Sequence, residues 1–304
     1  MRCAIGLDVG GTSARVGLVT EAGKVLFRTS ARTGLRAGRH TLLERFRHGV
    51  TTALQYGASR ALPVEGIGIG MPAFIDPDGR VAGSCNLPAL NGSPVGRLLE
   101  REFRLPARME NDVTAGVYGE YYFGGHAGSS RRLLLLSIGT GIGGGMMVDG
   151  RLLRLAQGCL GDPGHVIVDP SGRWPCRCGG NGCLEAVASG WALVEQARRL
   201  GLEATPGQIF ERARAGDARM AKLAARAATA VGVGLASLCV LVNPDTVVLG
   251  GGVAAEAGEA FRRRVEGTTQ RHAVPFFARD VRFLLSRAGP SAGLRGAAAL
   301  VLFE

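Results

Sequence analysis

The chain opens with Cys3-Ala4-Ile5-Gly6-Leu7-Asp8-Val9-Gly10-Gly11-Thr12, an apolar run that ends in a glycine pair and a threonine. The apolar run predicts a buried strand, and the glycines predict a tight turn into a second strand. Such a turn exposes backbone N–H groups that bind phosphate, and Thr12 adds a hydroxyl donor. Asp8 is suited to hold Mg²⁺ through water. A plain hairpin carries the same glycines, so a phosphate site built from Asp8, Gly10, Gly11 and Thr12 is one of two interpretations of this stretch.

Two more glycine runs follow apolar, strand-like segments. The first, Gly139-Thr140-Gly141-Ile142-Gly143-Gly144-Gly145, lies between segments 133–138 and 146–148. The second, Gly250-Gly251-Gly252, precedes a helical stretch predicted from about residue 254. Neither run fits the dinucleotide-binding fingerprint, so the prediction depends on the order and spacing of the glycine runs. The run at 139–145 predicts a second phosphate turn. The run at 250–252 predicts close backbone contact with the base and ribose of a nucleotide. The predicted nucleotide-binding residues in these runs are Gly139, Thr140, Gly141, Gly143, Gly251 and Gly252.

Three cysteines and a histidine lie close together in the middle of the chain. His165 is followed by Cys176-Arg177-Cys178-Gly179-Gly180-Asn181-Gly182-Cys183. Three thiolates and one imidazole close a tetrahedral shell around Zn²⁺ and leave no position for a catalytic water. The glycines allow the loop to fold back tightly. The spacing therefore predicts structural zinc held by His165, Cys176, Cys178 and Cys183, and unrelated buried thiols are the alternative.

Five segments, taken in order, resemble the motifs of ROK family sugar kinases, and the resemblance runs from residue 3 to residue 304. They are 8–12, Glu110-Asn111-Asp112-Val113-Thr114-Ala115, 139–145, Gly164-His165 and 176–185. The resemblance implies an α/β chain with the actin-like ATPase (ribonuclease H-like) fold, in which two domains with mixed sheets flank a cleft for ATP and sugar. We expect a smaller N-terminal domain over 1–110, completed by a C-terminal helix over 291–304, and a larger domain over 111–290 with the zinc loop.

The resemblance also implies roles for single residues. Asp112 would be the catalytic base. Asn111, His165 and Glu185 would bind sugar hydroxyls, so that His165 gives one ring nitrogen to zinc and the other to sugar. Phosphoryl transfer from ATP has a loose transition state in which a carboxylate accepts the proton of the attacking hydroxyl, which suits Asp112. Because Asn111 and Asp112 precede a predicted helix over 113–123, capping of that helix is the alternative role for the carboxylate.

Two positions depart from the family pattern and leave the identity of the sugar open. Asp162 stands where the family usually has Glu, so its carboxylate is one methylene closer to the backbone. The ring of Pro163 fixes the backbone φ angle at the next residue. In Ser84-Cys85-Asn86-Leu87-Pro88-Ala89-Leu90, Asn86 matches the family, whereas Leu90 stands where many members have Trp. We expect Asn86 and Asp162 to contact sugar. Glucose, phosphorylated at its 6-hydroxyl, is the first candidate, and mannose, fructose, allose, N-acetylglucosamine and N-acetylmannosamine remain open.

Composition favours a reducing compartment. The 304 residues suggest about two domains. The seven cysteines are an odd number, and three of them belong to the metal motif, a usage typical of the cytosol. The start of the chain lacks a signal-peptide pattern, and the longest uncharged run, 227–242, is shorter than the roughly 18 residues of a spanning helix. We therefore expect a cytoplasmic protein without membrane contact, in which 227–242 is a buried helix. A further helix is predicted near 183–199.

The net charge of +11 makes nucleic acid binding the main alternative of another class. Only Lys24 and Lys222 are lysines among the 36 basic residues, and arginines are spread among glutamates, which is typical of a solvated surface. DNA-binding relatives carry a helix-turn-helix ahead of the kinase-like body, for which we expect no room before Asp8. Asp8, Asp112 and both phosphate turns disfavour a sugar sensor without turnover. We expect an enzyme that does not bind nucleic acid and that uses ATP rather than polyphosphate as the phosphoryl donor. The resemblance implies a homodimer or a homotetramer.

Overall fold

A computed structural model of the chain describes residues 1–34, 36–155 and 161–303. These residues form two compact units. The first unit contains the described residues of Met1–Ser129, Arg154–Cys159 and Arg287–Glu304, and the second contains those of Ser130–Leu153 and Leu160–Ser286. Each unit is built on a five-stranded mixed sheet that packs against helices.

The sheet of the first unit is built around the opening strand. Its strands are β1 (Cys3–Val9), β2 (Ser13–Thr20), β3 (Val25–Arg32), β4 (Val64–Met71) and β7 (Ala107–Asn111), and a separate hairpin pairs β5 (Phe74–Ile75) with β6 (Val81–Gly83). The order is β3-β2-β1-β4-β7; β1, β2 and β3 are antiparallel neighbours, whereas β1, β4 and β7 run parallel. The helices of this unit are α1 (Arg39–Ala58), α2 (Val95–Phe103), α3 (Asp112–Phe123) and α10 (Ala292–Leu302).

Helix α10 packs directly on the backbone of β1 and β4, because glycines face it. A Cβ atom on Gly6 would lie 2.1 Å from the carbonyl oxygen of Leu294, and one on Gly68 would lie 1.7 Å from that of Ala297. No side chain fits at these distances, so glycine here is a packing requirement. The alternate residues of the same strands, Ile5, Leu7, Ile67 and Ile69, belong to the core cluster that contains Phe46 and Val50 of α1.

The second unit repeats this topology. Its strands are β8 (Arg132–Ile138), β9 (Ile142–Val148), β10 (Arg151–Leu152), β11 (Thr246–Gly250) and β12 (Arg282–Leu285), in the order β10-β9-β8-β11-β12. Its helices are α4 (Leu184–Ala188), α5 (Gly190–Arg199), α6 (Pro206–Arg214), α7 (Ala218–Val242), α8 (Gly251–His272) and α9 (Pro275–Ala278). Strand β8 corresponds to β1: a glycine turn joins each to an antiparallel neighbour, and each pairs in parallel with a later strand.

Helix α7 is long and apolar enough to cross a membrane, judged by length and composition alone. Twelve of its residues are buried, among them Leu223, Val231 and Leu235. These side chains share one core cluster with Leu136 of β8 and Val247 of β11. Packing in the core of the second unit therefore accounts for the apolar character of this helix.

Three predicted boundaries differ from those of the structure. The boundary predicted between residues 110 and 111 lies instead after Ser129, because α3 packs against α10 and β4 and so belongs to the first unit. The helix predicted over 183–199 is two helices, since Ser189 is extended with a ψ of 165° and its hydroxyl accepts the Ala192 N–H at the start of α5. Helix α8 begins at Gly251 rather than near residue 254.

We expect Gly68→Ala to destabilise the protein by about 1–3 kcal/mol or more, because its methyl group would force α10 away from β4. The measurement is the melting temperature by circular dichroism. Gly83→Ala is the matched control, since nothing lies within 4 Å of a Cβ atom at that position. Equal melting temperatures for the two variants would contradict the close packing of α10.

Candidate functional site

Parallel strands bring the predicted catalytic base and the first phosphate turn to one edge of the first sheet. Asp8 of β1 lies opposite Gly70 of β4, and Gly70 lies opposite Glu110 of β7. The carboxyl ends of these strands therefore share an edge, at which Asp112 follows as the first residue of α3. Burial is the main cause of a raised pKa at Asp112, and the negative charge of Asp8 adds to it.

The Asp112 carboxylate occupies an environment that favours its protonated form. The residue is partly buried, and loss of hydration raises the pKa of Asp112 to about 6, although a hydrogen bond from the Val113 N–H to Oδ1 (2.9 Å) acts in the opposite direction. Above pH 7 such a group is mostly ionised, yet it accepts a proton more readily than an ordinary aspartate. These properties suit a general base.

Asn111 begins helix α3. Its Oδ1 atom accepts hydrogen bonds from the N–H groups of Val113 (2.9 Å) and Thr114 (3.4 Å), and its Nδ2 atom donates to the carbonyl oxygen of Ala73 (3.2 Å). Asn111 is thus the main cap of the helix, a role that the sequence had suggested for Asp112. One Nδ2 hydrogen stays available to a ligand.

The turn at Gly10, Gly11 and Thr12 is held by backbone hydrogen bonds. The Gly10 N–H donates to the Ser13 carbonyl oxygen (2.8 Å), and the Thr33 hydroxyl donates to the Gly10 carbonyl oxygen (2.8 Å). Asn86 lies beside the turn, since a Cβ atom on Gly11 would be 3.4 Å from the Asn86 Cβ atom. Burial raises the pKa of Asp8, and the charge of Arg15, with Nη1 at 3.8 Å from Oδ2, acts in the opposite direction.

In the second unit, the start of helix α5 supports the turn between β8 and β9. The Gly190 N–H donates to the Gly139 carbonyl oxygen (2.8 Å), and the Trp191 N–H donates to the Thr140 carbonyl oxygen (3.2 Å). Gly251 adopts a φ of +85°, and a Cβ atom there would lie 2.3 Å from the Ile138 carbonyl oxygen, so only glycine fits. The second and third glycine runs therefore meet around the end of β8.

Glu185 is fixed on the same turn. Its Oε2 atom accepts the Ile142 N–H (2.8 Å), and its Oε1 atom accepts the indole N–H of Trp191 (3.3 Å). A Cβ atom on Gly141 would lie 2.6 Å from Oε2, so the carboxylate fills the space that a side chain would take. Both oxygens keep a lone pair for a further donor, such as a sugar hydroxyl.

The predicted metal ligands converge. The ligand atoms of His165, Cys176, Cys178 and Cys183 all lie within 4.8 Å of one another. Cys176 Sγ is 3.6 Å from His165 Nδ1, and Cys178 Sγ is 3.8 Å from Cys183 Sγ. A tetrahedral zinc site with Zn–S bonds of about 2.3 Å has edges of about 3.8 Å. The four donors thus fit a tetrahedral metal ion.

Asp162 lies against the histidine of this cluster. Its Oδ2 atom is 3.4 Å from His165 Nε2, and its Oδ1 atom accepts the Gly164 N–H at 3.3 Å. The ring nitrogen that the resemblance assigned to sugar therefore faces a carboxylate in this structure. Metal-bound histidines usually make such a contact with a neighbouring carboxylate.

A cavity of about 920 Å³ lies in the second unit, next to the glycine turns. Its walls come from the turn between β8 and β9, from α5, from the start of α8 and from the metal loop, which is the segment 165–183 that carries the four candidate ligands. The lining includes Gly139, Thr140, Cys176, Arg177, Trp191 and Gly252. The sequence predictions missed Arg177, Trp191, Glu195 and Glu256 in this lining.

The predicted site residues thus form two groups that correspond to the two units. The first unit holds Asp8, Gly10, Gly11, Thr12, Asn86, Asn111 and Asp112. The second unit holds Gly139, Thr140, Gly141, Gly143, Asp162, His165, Cys176, Cys178, Cys183, Glu185, Gly251 and Gly252.

Two mixed sheets of one topology, each with a glycine turn after its central strand, define a protein with the actin-like ATPase fold. The chain belongs to the ROK family, whose profile matches residues 4–304. A glucokinase of Thermotoga maritima is 32% identical over 313 residues, which are 98% of this chain and 96% of the relative. A crystal structure of a ROK family glucokinase from Streptomyces griseus in complex with glucose and AMPPNP is 31% identical, with a TM-score of 0.79 and coverage of 98% of this chain and 99% of that chain.

Regulators occur among the relatives as well. A xylose repressor of Caldicellulosiruptor bescii is 30% identical over 318 residues, which are 99% of this chain and 78% of the repressor. Sequence identity alone therefore does not separate a kinase from a regulator, and the chemistry of the site has to make the distinction.

We expect Asp112→Asn to raise the melting temperature above about pH 6 and to leave it unchanged near pH 4. The pKa of Asp112 is raised from 3.8 to about 6, so ionisation destabilises the folded state progressively between these values and fully above pH 6, by about 3 kcal/mol at about 1.4 kcal/mol per unit. Asparagine removes this charge and keeps the oxygen that accepts the Val113 N–H.

The control for this experiment is Asp149→Asn. The guanidinium of Arg131 lowers the pKa of Asp149, so removal of that charge should give no stabilisation at pH 7.5. Melting curves of wild type and both variants at pH 4, 5, 6 and 7.5 make the comparison. A difference between Asp112→Asn and wild type that does not change with pH would contradict the raised pKa.

Proposed function

We propose that the protein is an ATP-dependent hexokinase that transfers a phosphoryl group to the 6-hydroxyl of a hexose, with glucose as the first candidate. The observation that carries this proposal is Asp112, a partly buried carboxylate with a raised pKa at the sheet edge that also holds the first glycine turn. The similarity to glucokinases over almost the whole chain supports it.

In the proposed reaction, the 6-oxygen of the sugar bonds to the γ-phosphorus of ATP while the bond between that phosphorus and the bridging oxygen of the β-phosphate breaks, which releases ADP. Asp112 accepts the proton of the 6-hydroxyl. The transition state is loose, so positioning and neutralisation of charge contribute most of the rate enhancement. Backbone N–H groups at Gly10, Gly11, Gly139 and Thr140 would bind the phosphates. When bound, Mg²⁺ neutralises phosphate charge, and Asp8 would hold it through water.

Sugar binding is assigned by the same reasoning to Asn86, Asn111, His165, Glu185 and Asp162. The Glu185 carboxylate is held rigidly by Ile142 and Trp191, which is the preorganisation that hydroxyl recognition requires. Asp162 is proposed to act on sugar through water, because its two oxygens already face Gly164 and His165.

We further propose that the Cys₃His cluster binds Zn²⁺ in a structural role. A closed shell of three thiolates and an imidazole has no position for a reacting water, so the ion would fix the loop and not take part in phosphoryl transfer. A cytoplasmic location, a dimeric or tetrameric assembly and the use of ATP rather than polyphosphate remain predictions of the sequence.

A sugar-responsive regulator is the second candidate, and the xylose repressor among the relatives favours it. Asp112 distinguishes the two functions. A sensor needs sugar ligands, whereas a carboxylate poised to accept a proton is a requirement of catalysis.

The kinase proposal is tested by ADP release from Mg-ATP with glucose, mannose, fructose, allose, N-acetylglucosamine and N-acetylmannosamine. We expect turnover with at least one sugar, and kcat/KM should fall below about pH 6, where Asp112 becomes protonated. Asp112→Ala should lower kcat by about 10²–10⁴, and Asp280→Ala, at an exposed carboxylate of the second unit, should not. Sugar binding without turnover in the wild type would support the regulator.

The zinc proposal predicts about one Zn²⁺ per chain in the purified protein, measured by inductively coupled plasma mass spectrometry. Cys178→Ser should abolish most of this content, because one of four ligands is lost. Cys85→Ser is the matched control at another exposed cysteine. Retention of stoichiometric zinc by Cys178→Ser would refute the assigned ligand set, and a wild type without metal would favour plain buried thiols.

A further inference from the structure

The metal loop forms one wall of the cavity that the second and third glycine runs line. Cys176 and Arg177 of this loop share the cavity with Gly139, Thr140 and Gly252. Its volume of about 920 Å³ is at the upper end of the range for ligand sites, which is adequate for a nucleoside triphosphate. The metal loop therefore lies where it could contact a nucleotide bound in this cavity. Its four candidate metal ligands do not by themselves predict such a contact.

Arg177 is held next to the phosphate turn. Its guanidinium carbon lies 4.6 Å from the centroid of the Trp191 ring, and the backbone N–H of Trp191 donates to the Thr140 carbonyl oxygen (3.2 Å). Stacking on an indole orients a guanidinium but leaves its charge and its N–H groups available. Trp191 thus links the cation to the turn at which we propose that phosphate binds.

Arg177 differs from its neighbour in the cavity, Arg199, in its ionic contacts. Across residues 1–34, 36–155 and 161–303, no carboxylate forms an ion pair with Arg177, whereas Arg199 in the same cavity pairs with Glu195 at 3.2 Å. The cavity also contains the carboxylate of Glu256, from the first turns of α8. A guanidinium without a carboxylate partner is available to bind phosphate through charge-assisted hydrogen bonds.

We propose that Arg177 binds the phosphate chain of ATP, so that the metal loop is part of the nucleotide site. The inference rests on the proposed ATP-dependent function. Because Cys176 and Cys178 flank Arg177, the same ion that folds the loop would also position this guanidinium. Metal binding and nucleotide binding are then coupled, and each strengthens the other by the same factor.

The test is isothermal titration of Arg177→Ala with the non-hydrolysable ATP analogue AMPPNP and with adenosine, in buffer that contains Mg²⁺. Loss of one charge-assisted contact should weaken AMPPNP binding about tenfold or more and leave adenosine binding unchanged. Arg177→Lys, which keeps the charge but not the planar group, should give an intermediate affinity. Arg173→Ala is the matched control, because Arg173 lies in the same loop but does not line the cavity.

Zinc content is measured on every sample, and Arg177→Gln replaces Arg177→Ala if the alanine variant loses its metal. AMPPNP affinity within twofold of wild type in a metal-loaded variant would overturn the inference. An equal loss for adenosine would also overturn it, since the contact would then not be to phosphate. A wild type that binds AMPPNP in an Arg177-dependent way but phosphorylates none of the sugars would refute the proposed hexokinase and leave this inference intact.

Discussion

The second unit depends on the two hydrogen bonds that the Glu185 carboxylate accepts. One oxygen takes the Ile142 N–H at the end of the glycine turn, and the other takes the indole N–H of Trp191 on α5. Glu185 comes two residues after the proposed metal ligand Cys183, so the metal loop, the turn and the start of α5 are connected through one side chain. An apolar residue in its place would leave a partly buried backbone N–H without its partner, which destabilises the turn. The geometry of the cavity next to this turn therefore depends on a residue that the family resemblance assigns to sugar binding.

In the first unit, the side-chain amide of Asn111 connects the start of α3 with the backbone at Ala73. Asn111 accepts the N–H groups of Val113 and Thr114 and donates to the Ala73 carbonyl oxygen, which fixes the start of α3 at the sheet edge. Asp112, the next residue, is thereby positioned without an ion pair to any cation among the described residues. The pKa of Asp112 is raised mainly because burial removes hydration from its carboxylate. The Glu185 carboxylate differs in that each of its oxygens accepts a hydrogen bond. One carboxylate is thus suited to accept a proton, and the other is suited to hold a fixed orientation.

The sequence predicted the elements whose signals are local. The apolar runs gave strands β1 and β8, the Cys₃His spacing predicted the ligand cluster, and the glycines located both turns. Strand β12 and helix α2 were not predicted, because their short patterns have no distinctive period or cap. The division at Ser189 was hidden because its cause is tertiary, the packing of α5 under the turn at Gly139. Arg177 was missed for a related reason: spacing identifies the cysteines around it, but only the fold places its side chain over Trp191.

The aspartate at position 162 shows how a departure from a family pattern can have a local cause. The side chain is short enough for Oδ1 to accept the N–H two residues later, a bond that aspartate forms readily and glutamate does not. The same geometry brings Oδ2 to 3.4 Å from His165 Nε2 while Nδ1 faces the thiol of Cys176. A carboxylate in this position favours the tautomer with a proton on Nε2 and a free electron pair on Nδ1, which is the form that binds a metal ion. The shorter side chain therefore supports the metal loop through His165, and any contact with sugar has to be compatible with that support.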